Sequence, residues 1–136
     1  PYPRREKIIM VTDPIADFLI RLQNASKVSK ESVSMPFSRM KLSIAHILEK
    51  EGYVSGVDQK KGTSLSVSLL YKNGRPAITG AKRISKPSRR MYMSLHDIKP
   101  VKRGWGLLVL STPAGILSGK EAKQKRVGGE ALFEIW

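Results

Sequence analysis

Cysteine is absent from the 136 residues, and histidine occurs only at His46 and His96. The first absence excludes a disulfide framework, a thiolate nucleophile and a cysteine metal site; the second leaves too few imidazoles for a histidine-rich one. No metal and no cofactor are expected. Acid is scarce too, with 11 Asp and Glu against 25 Lys and Arg and a formal net charge of +14. No apolar run approaches the roughly 18 residues of a membrane helix, and Pro1 to Lys7 holds no apolar block suited to a signal peptide. A soluble interior protein without a membrane partner is expected. What is present is a globular composition, 40% hydrophobic and 26% charged, with apolar residues spread along the whole chain. Its length suits one mid-sized domain or two small ones and excludes a long multidomain enzyme.

So large a positive excess repels itself unless it meets a polyanion, which makes nucleic acid the leading partner and an anionic membrane surface the second. Both halves share the excess: residues 1–75 carry thirteen basic and seven acidic side chains, residues 76–136 twelve and four. The densest segment runs from Lys82 to Arg103, where Lys82, Arg83, Lys86, Arg89, Arg90, Lys99, Lys102 and Arg103 face the single acid Asp97. A solvated surface run would look the same by charge alone.

Patterning divides the chain into an α+β first part and a β-rich second part. Asp13 is a helix cap, Pro14 occupies the first helical position, and Ile15, Phe18, Leu19 and Leu22 recur at helical spacing. Ser38 caps a second helix that should bury Met40, Ile44, Ile47 and Leu48 and stop at Gly52. The period then falls to two. Tyr53, Val54 and Val57 suggest a strand, Lys60-Lys61-Gly62 a turn, and Leu65, Val67 and Leu69 alternate with serines. Asn73-Gly74 signals a tight turn, and Pro76 weakens whatever strand follows. Further strands are expected at Ala77-Ile78-Thr79, at Met91-Tyr92-Met93 with Leu95, at Leu107 to Leu110 and at Ala131 to Trp136. One short helix should open at the Ser118/Glu121 capping box and run through Ala122 to about Lys125, before Gly128-Gly129 breaks it.

Enzymatic constellations are thin. Ser111 and Thr112 follow an apolar strand where a nucleophile could stand, but spacing ties neither histidine to them. Asp13 and Asp17 are explained as a cap and a first-turn acid, and no phosphate-loop or dinucleotide pattern occurs. Nucleic-acid binding accounts for more. The stretch from Lys82 to Arg90 mixes ammonium, guanidinium and hydroxyl groups, with Pro87 stiffening the loop. Ser111-Thr112-Pro113-Ala114-Gly115 offers small hydroxyl side chains able to approach a groove, and Tyr92, Trp105 and Trp136 are candidates for stacking. No zinc finger, basic zipper or helix-turn-helix appears, which favours RNA over sequence-specific DNA.

Several ordered blocks resemble one family, the bacterial-type small-subunit ribosomal proteins conventionally numbered eight. They are Thr12-Asp13-Pro14-Ile15-Ala16-Asp17 with Arg21 and Asn24-Ala25, Lys82-Arg83-Ile84-Ser85-Lys86-Pro87 with Arg90 and Tyr92, then Ser111-Thr112, Gly115, Leu117, Glu121-Ala122 and Gly128-Gly129-Glu130. The resemblance covers roughly residues 10–136; Pro1 to Ile9 looks like an extension. It implies two small domains, an N-terminal α/β domain over 1–76 and a C-terminal β-rich RNA-binding domain over 77–136. It further implies a primary binder of the central domain of small-subunit ribosomal RNA that acts early in assembly and is not an enzyme. Ser111, Thr112, Gly115, Gly128, Gly129 and Glu130 match the family's main surface for an irregular RNA helix. Lys86, Pro87 and Tyr92 match further positions of that surface, and Thr12, Pro14, Arg21 and Asn24 match its first-domain RNA-facing helix. Neighbouring small-subunit proteins, no small-molecule substrate, and a cytoplasmic or organellar ribosome complete the implied setting. The sequence departs from the family at Pro113, where a third hydroxyl is usual, at Ser88, where a glycine often follows Lys-Pro, and at Trp105, where a smaller aliphatic is usual. The alternative is a general basic nucleic-acid-binding or architectural protein.

Overall fold

The structure, a computed structural model, describes residues 13–60, 63–104 and 106–136. Thr12, the extension over 1–9, the Lys61-Gly62 part of the expected turn and Trp105 lie outside the described residues.

Helix α1, Pro14–Lys27, begins as its sequence signals: the Asp13 carboxylate accepts from the Ala16 N–H at 3.2 Å, and Ile15, Phe18, Leu19, Leu22 and Ala25 are buried. Strand β1, Ser32–Pro36, follows; Val33 and Met35 alternate with exposed Ser32 and Ser34, and the strand pairs with β3. Helix α2, Arg39–Lys50, is capped by Ser38, whose hydroxyl accepts from the Lys41 N–H at 3.1 Å. Its buried stripe runs Lys41, Ile44, Ala45, Ile47 and Leu48, while Met40, expected inside, is 42% exposed. Lys41 takes that place because its methylene stem packs inward while its ammonium reaches the Pro36 carbonyl at 3.4 Å. Gly52, at φ +85°, turns the chain out of the helix. Strands β2, Val54–Lys60, and β3, Ser64–Leu69, complete an antiparallel sheet of order β1-β3-β2. Leu65, Val67 and Leu69 point into the core, as their alternation requires.

Asn73 and Gly74, both at positive φ, close the hairpin of β4, Tyr71–Lys72, and β5, Arg75–Pro76. The strand expected at Ala77-Ile78-Thr79 does not form. Ile78 is buried, but the Thr79 and Gly80 N–H groups both donate to the Trp136 carbonyl, and ladder pairing starts only at β6, Ala81–Arg83. Likewise β7 is confined to Tyr92–Met93, because Leu95 opens a 3-10 turn, Leu95–Asp97. A second 3-10 turn, Val101–Gly104, leads to β8, Leu107–Thr112, and the unanticipated β9, Gly115–Ser118. Helix α3, Gly119–Lys125, has the expected capping box and ends where expected, with Arg126 in the left-handed region as its C-cap. Strand β10, Gly129–Ile135, then enters the centre of a sheet of order β6-β10-β8-β9, with β7 also paired to β10.

That sheet is covered on both faces, which is why Leu107 to Leu110 are apolar without alternation. One face, through Val109, Phe133 and Ile135, joins Phe18, Leu22, Ile44, Leu48 and Val67 in a continuous core spanning both halves of the chain. The other packs Leu108, Leu110, Leu117 and Ala131 against Ile98, Val101 and Ala122. Each fully buried Phe or Leu contributes about 1.5–3 kcal/mol. Two ion pairs also tie the halves: Asp13 to Arg83 at 3.1 Å and Lys50 to Glu121 at 2.8 Å.

Glu121 does two jobs, accepting from Lys50 through Oε2 and from the Ser118 N–H through Oε1. The hydrogen bond from Lys50, followed by that from the Ser118 backbone, holds its carboxyl below the ordinary value of about 4.5. A depressed folded pKa adds stability above the unfolded value, and that stability drains as pH falls through the folded one. Glu121→Gln is therefore expected to be less stable than the parent at neutral pH, with the gap closing below about pH 4.5. Urea unfolding across pH 3 to 7 checks this, and a pH-independent gap contradicts it.

Candidate nucleic-acid interface

Strand register builds the site. Glu130, at the start of β10, lies opposite Ser111 on β8 and opposite Tyr92 on β7. Directly opposed residues of antiparallel strands project from the same face, so Ser111, Glu130 and Tyr92 form a row across the sheet. Ile116 on β9 continues the row and packs against the larger core, which places it on the sheet face shared by both halves.

Gly128 and Gly129 allow these strands to converge. A Cβ on Gly128 would strike the Met93 carbonyl and the Ser94 backbone; one on Gly129 would strike the Ser111 carbonyl and lie 3.0 Å from the Thr112 Cα. Next to them, the β8–β9 hairpin turn is closed by Thr112, whose hydroxyl donates to the Gly115 carbonyl at 2.8 Å and accepts from the Ala114 N–H at 3.1 Å. Gly115, at φ +112°, adopts a conformation few side chains permit. Pro113 is exposed at the tip of this turn. Ser111 is half-buried, and among the described residues its hydroxyl has no hydrogen-bond partner.

The flanking loop supplies charge. Lys86 and Arg89 exchange backbone hydrogen bonds of 2.9 and 3.0 Å, closing a turn around Pro87 and Ser88 that leaves Lys86, Ser88 and Arg89 exposed. Arg90 bonds Glu130 Oε2 at 3.0 Å, and the Ser85 hydroxyl donates to the same oxygen at 2.5 Å. Tyr92, 72% exposed, stands beside them as a bare aromatic surface. A row holding an unpaired hydroxyl and an exposed ring, with a cationic loop beside it, can neutralise phosphate, bond a base or ribose, and stack.

A family model described as Ribosomal protein S8 matches residues 13–136. The chain belongs to that family. Curated relatives named Small ribosomal subunit protein uS8 include those of Nitratidesulfovibrio vulgaris, 47% identical over 127 residues, and Desulfovibrio desulfuricans, 48% identical over 127 residues. Each of those matches covers 93% of this chain and 100% of the relative. The relative from Halothermothrix orenii is 45% identical over 130 residues, covering 93% and 98% of the two chains.

Of the residues that the family resemblance singles out, Lys86, Pro87, Tyr92, Ser111, Thr112, Gly115, Gly128, Gly129 and Glu130 gather at the junction of β7, β8 and β10. Pro14 is drawn toward it, since the preceding Asp13 pairs with Arg83, which also donates to the Leu132 carbonyl. Arg21 and Asn24 lie about 10 and 15 Å farther along α1 at 1.5 Å per residue. Arg21 is held by Asp17 at 2.9 Å and the Ser34 carbonyl at 3.1 Å, and Asn24 is exposed. Ser85 and Arg83, expected to face outward with the rest of the basic stretch, turn inward: Ser85 is buried and Arg83 is paired with Asp13, and nothing local distinguishes them from exposed residues.

Gly129→Ala is expected to cost about 1–3 kcal/mol, since backbone atoms rather than a flexible side chain meet the new methyl. The shift in urea midpoint against wild type measures it, and an unchanged midpoint contradicts the wedge.

Proposed function

We propose that this chain grips an irregular helix in the central domain of small-subunit ribosomal RNA with the Ser111–Glu130–Tyr92 row and the Lys86–Arg90 loop. Membership of the ribosomal protein S8 family makes it a structural constituent of the small ribosomal subunit, not an enzyme. Its partners are small-subunit ribosomal RNA and neighbouring small-subunit proteins, and its place is the ribosome. In this reading residues 77–136 act as the RNA-binding domain, residues 1–76 form the adjoining α/β domain, and the protein binds early in assembly as a primary binder. Pro14, Arg21 and Asn24 on α1, together with Thr12, supply a second, weaker contact.

The register carries the reading: it sets an unpartnered hydroxyl, Ser111, between an exposed Tyr92 ring and the hydroxyl turn at Thr112, with exposed cations alongside. Thr112 spends its proton on the Gly115 carbonyl, so its part is to shape the turn and offer a lone pair. Ser111 is the free donor. Pro113 sits at the turn tip, where its missing N–H breaks no ladder bond.

Removing the Ser111 donor with Ser111→Ala is expected to weaken binding to a central-domain RNA fragment about 3- to 10-fold, the net worth of a hydrogen bond. Lys86→Ala should reduce the slope of log affinity against log salt by about 0.7–0.9. Filter binding at several salt concentrations, with duplex DNA and unrelated RNA as competitors, checks both. Salt-insensitive binding contradicts the phosphate contacts, and equal affinity for the competitors contradicts a specific RNA grip and favours the general basic class.

A further inference from the structure

Ser85 is completely buried, yet its hydroxyl is fully engaged in polar bonds. It donates to Glu130 Oε2 at 2.5 Å and accepts from the Met91 N–H at 3.1 Å. Backbone bonds reinforce the same junction: Ser85 N–H to the Ala131 carbonyl at 3.1 Å, and Ala131 N–H to the Met91 carbonyl at 2.9 Å. Residues 85 and 91 are thus both fastened to the start of β10, and residues 86–90 project between them as a closed loop.

That loop carries Lys86, Arg89 and Arg90 and no acid. Three like charges within five residues favour an opened, spread chain over the narrow turn observed. Glu130 opposes the spreading by taking Arg90 at 3.0 Å on the oxygen that Ser85 orients. Its side chain is 18% exposed, so the carboxylate is largely turned into the protein. This resolves a paradox of charge: an acid at the centre of a surface for polyanions would repel phosphate, but here its charge is committed to a guanidinium and a hydroxyl.

We propose that Ser85 is a positioning residue for RNA binding: through its hydroxyl and Glu130 it clasps the Lys86–Arg90 loop and Tyr92 against β10, without itself touching RNA. The proposal rests on the RNA-binding reading above. Preassembly matters because ordering a loop at the moment of binding subtracts from affinity.

The test uses the full chain and a central-domain RNA fragment. Ser85→Ala, compared with wild type, should bind about tenfold more weakly with a shallower salt slope, while hydrogen exchange in the free protein accelerates about tenfold at the Met91 amide. In a Lys86→Ala/Arg89→Ala background the same change should cost less further affinity, because two of the three cations it positions are gone. Glu130→Gln keeps an acceptor for Ser85 and removes one negative charge. The clasp predicts weaker RNA binding for it, whereas simple repulsion predicts stronger binding. Wild-type affinity and slope in Ser85→Ala, an undiminished loss in the Lys86→Ala/Arg89→Ala background, or tighter binding by Glu130→Gln each overturns the proposal. A wild-type chain that does not prefer the fragment to unrelated RNA overturns the underlying reading instead, before any variant is compared.

Discussion

A Cβ on Gly129 would press into the Ser111 carbonyl and one on Gly128 into that of Met93, so β10 begins in a slot that admits backbone alone. This steric constraint lets β7, β8 and β10 meet closely enough for Tyr92, Glu130 and Ser111 to stand in register. Were the slot wider, Glu130 would move away from Ser85 and Arg90, and the hydroxyl turn from the exposed tyrosine. The chemistry of the surface is therefore set by two residues that contribute no side-chain chemistry at all.

The rest of the fold holds that slot still. The sheet bearing it is packed on both faces, and the face carrying the row is apolar where it meets Phe18, Ile44 and Leu48 and polar where β10 begins. Asp13–Arg83 and Lys50–Glu121 fix the two halves at separate points. In both pairs the carboxylate also serves a helix N-terminus, as the cap of α1 and within the capping box of α3. Each acid thus has local work that orients it before its cation arrives, which lessens the side-chain entropy lost on pairing. With so few acids against so many cations, the described ion pairs to Lys and Arg use Asp13, Asp17, Glu121 and Glu130 in structural contacts, and the uncompensated Lys and Arg are left for a polyanion.

Legibility followed how locally each feature is determined. Helix α1 was readable because cap, proline and apolar spacing coincide at Asp13, Pro14 and Ile15 to Leu22; β3, the Asn73-Gly74 hairpin and the Ser118/Glu121 box were readable for similar reasons. β1 was not, although Val33 and Met35 alternate with Ser32 and Ser34: only two apolar positions precede Pro36, and pairing with β3 completes the strand. Nor was the displacement from Ala77–Thr79 to Ala81–Arg83, which depends on the Trp136 carbonyl capturing two N–H groups from the far end of the chain. At the candidate site, the hydroxyl turn, the twin glycines and the basic loop stood out as residue types. Their meeting at one junction required register, and the burial of Ser85 under Glu130 required packing across 45 positions.

RNA is expected to meet this junction and not the opposite face, where an open cleft of about 380 Å³ lies among Ile98, Lys99, Val101, Lys120 and Lys123. Amide chemical-shift mapping of the labelled full chain during titration with a central-domain ribosomal RNA fragment tests it most directly. The largest changes are predicted at residues 85–93, 111–115 and 128–130. Changes concentrated at 98–104 and 119–123, with the junction amides unmoved, would contradict the claim.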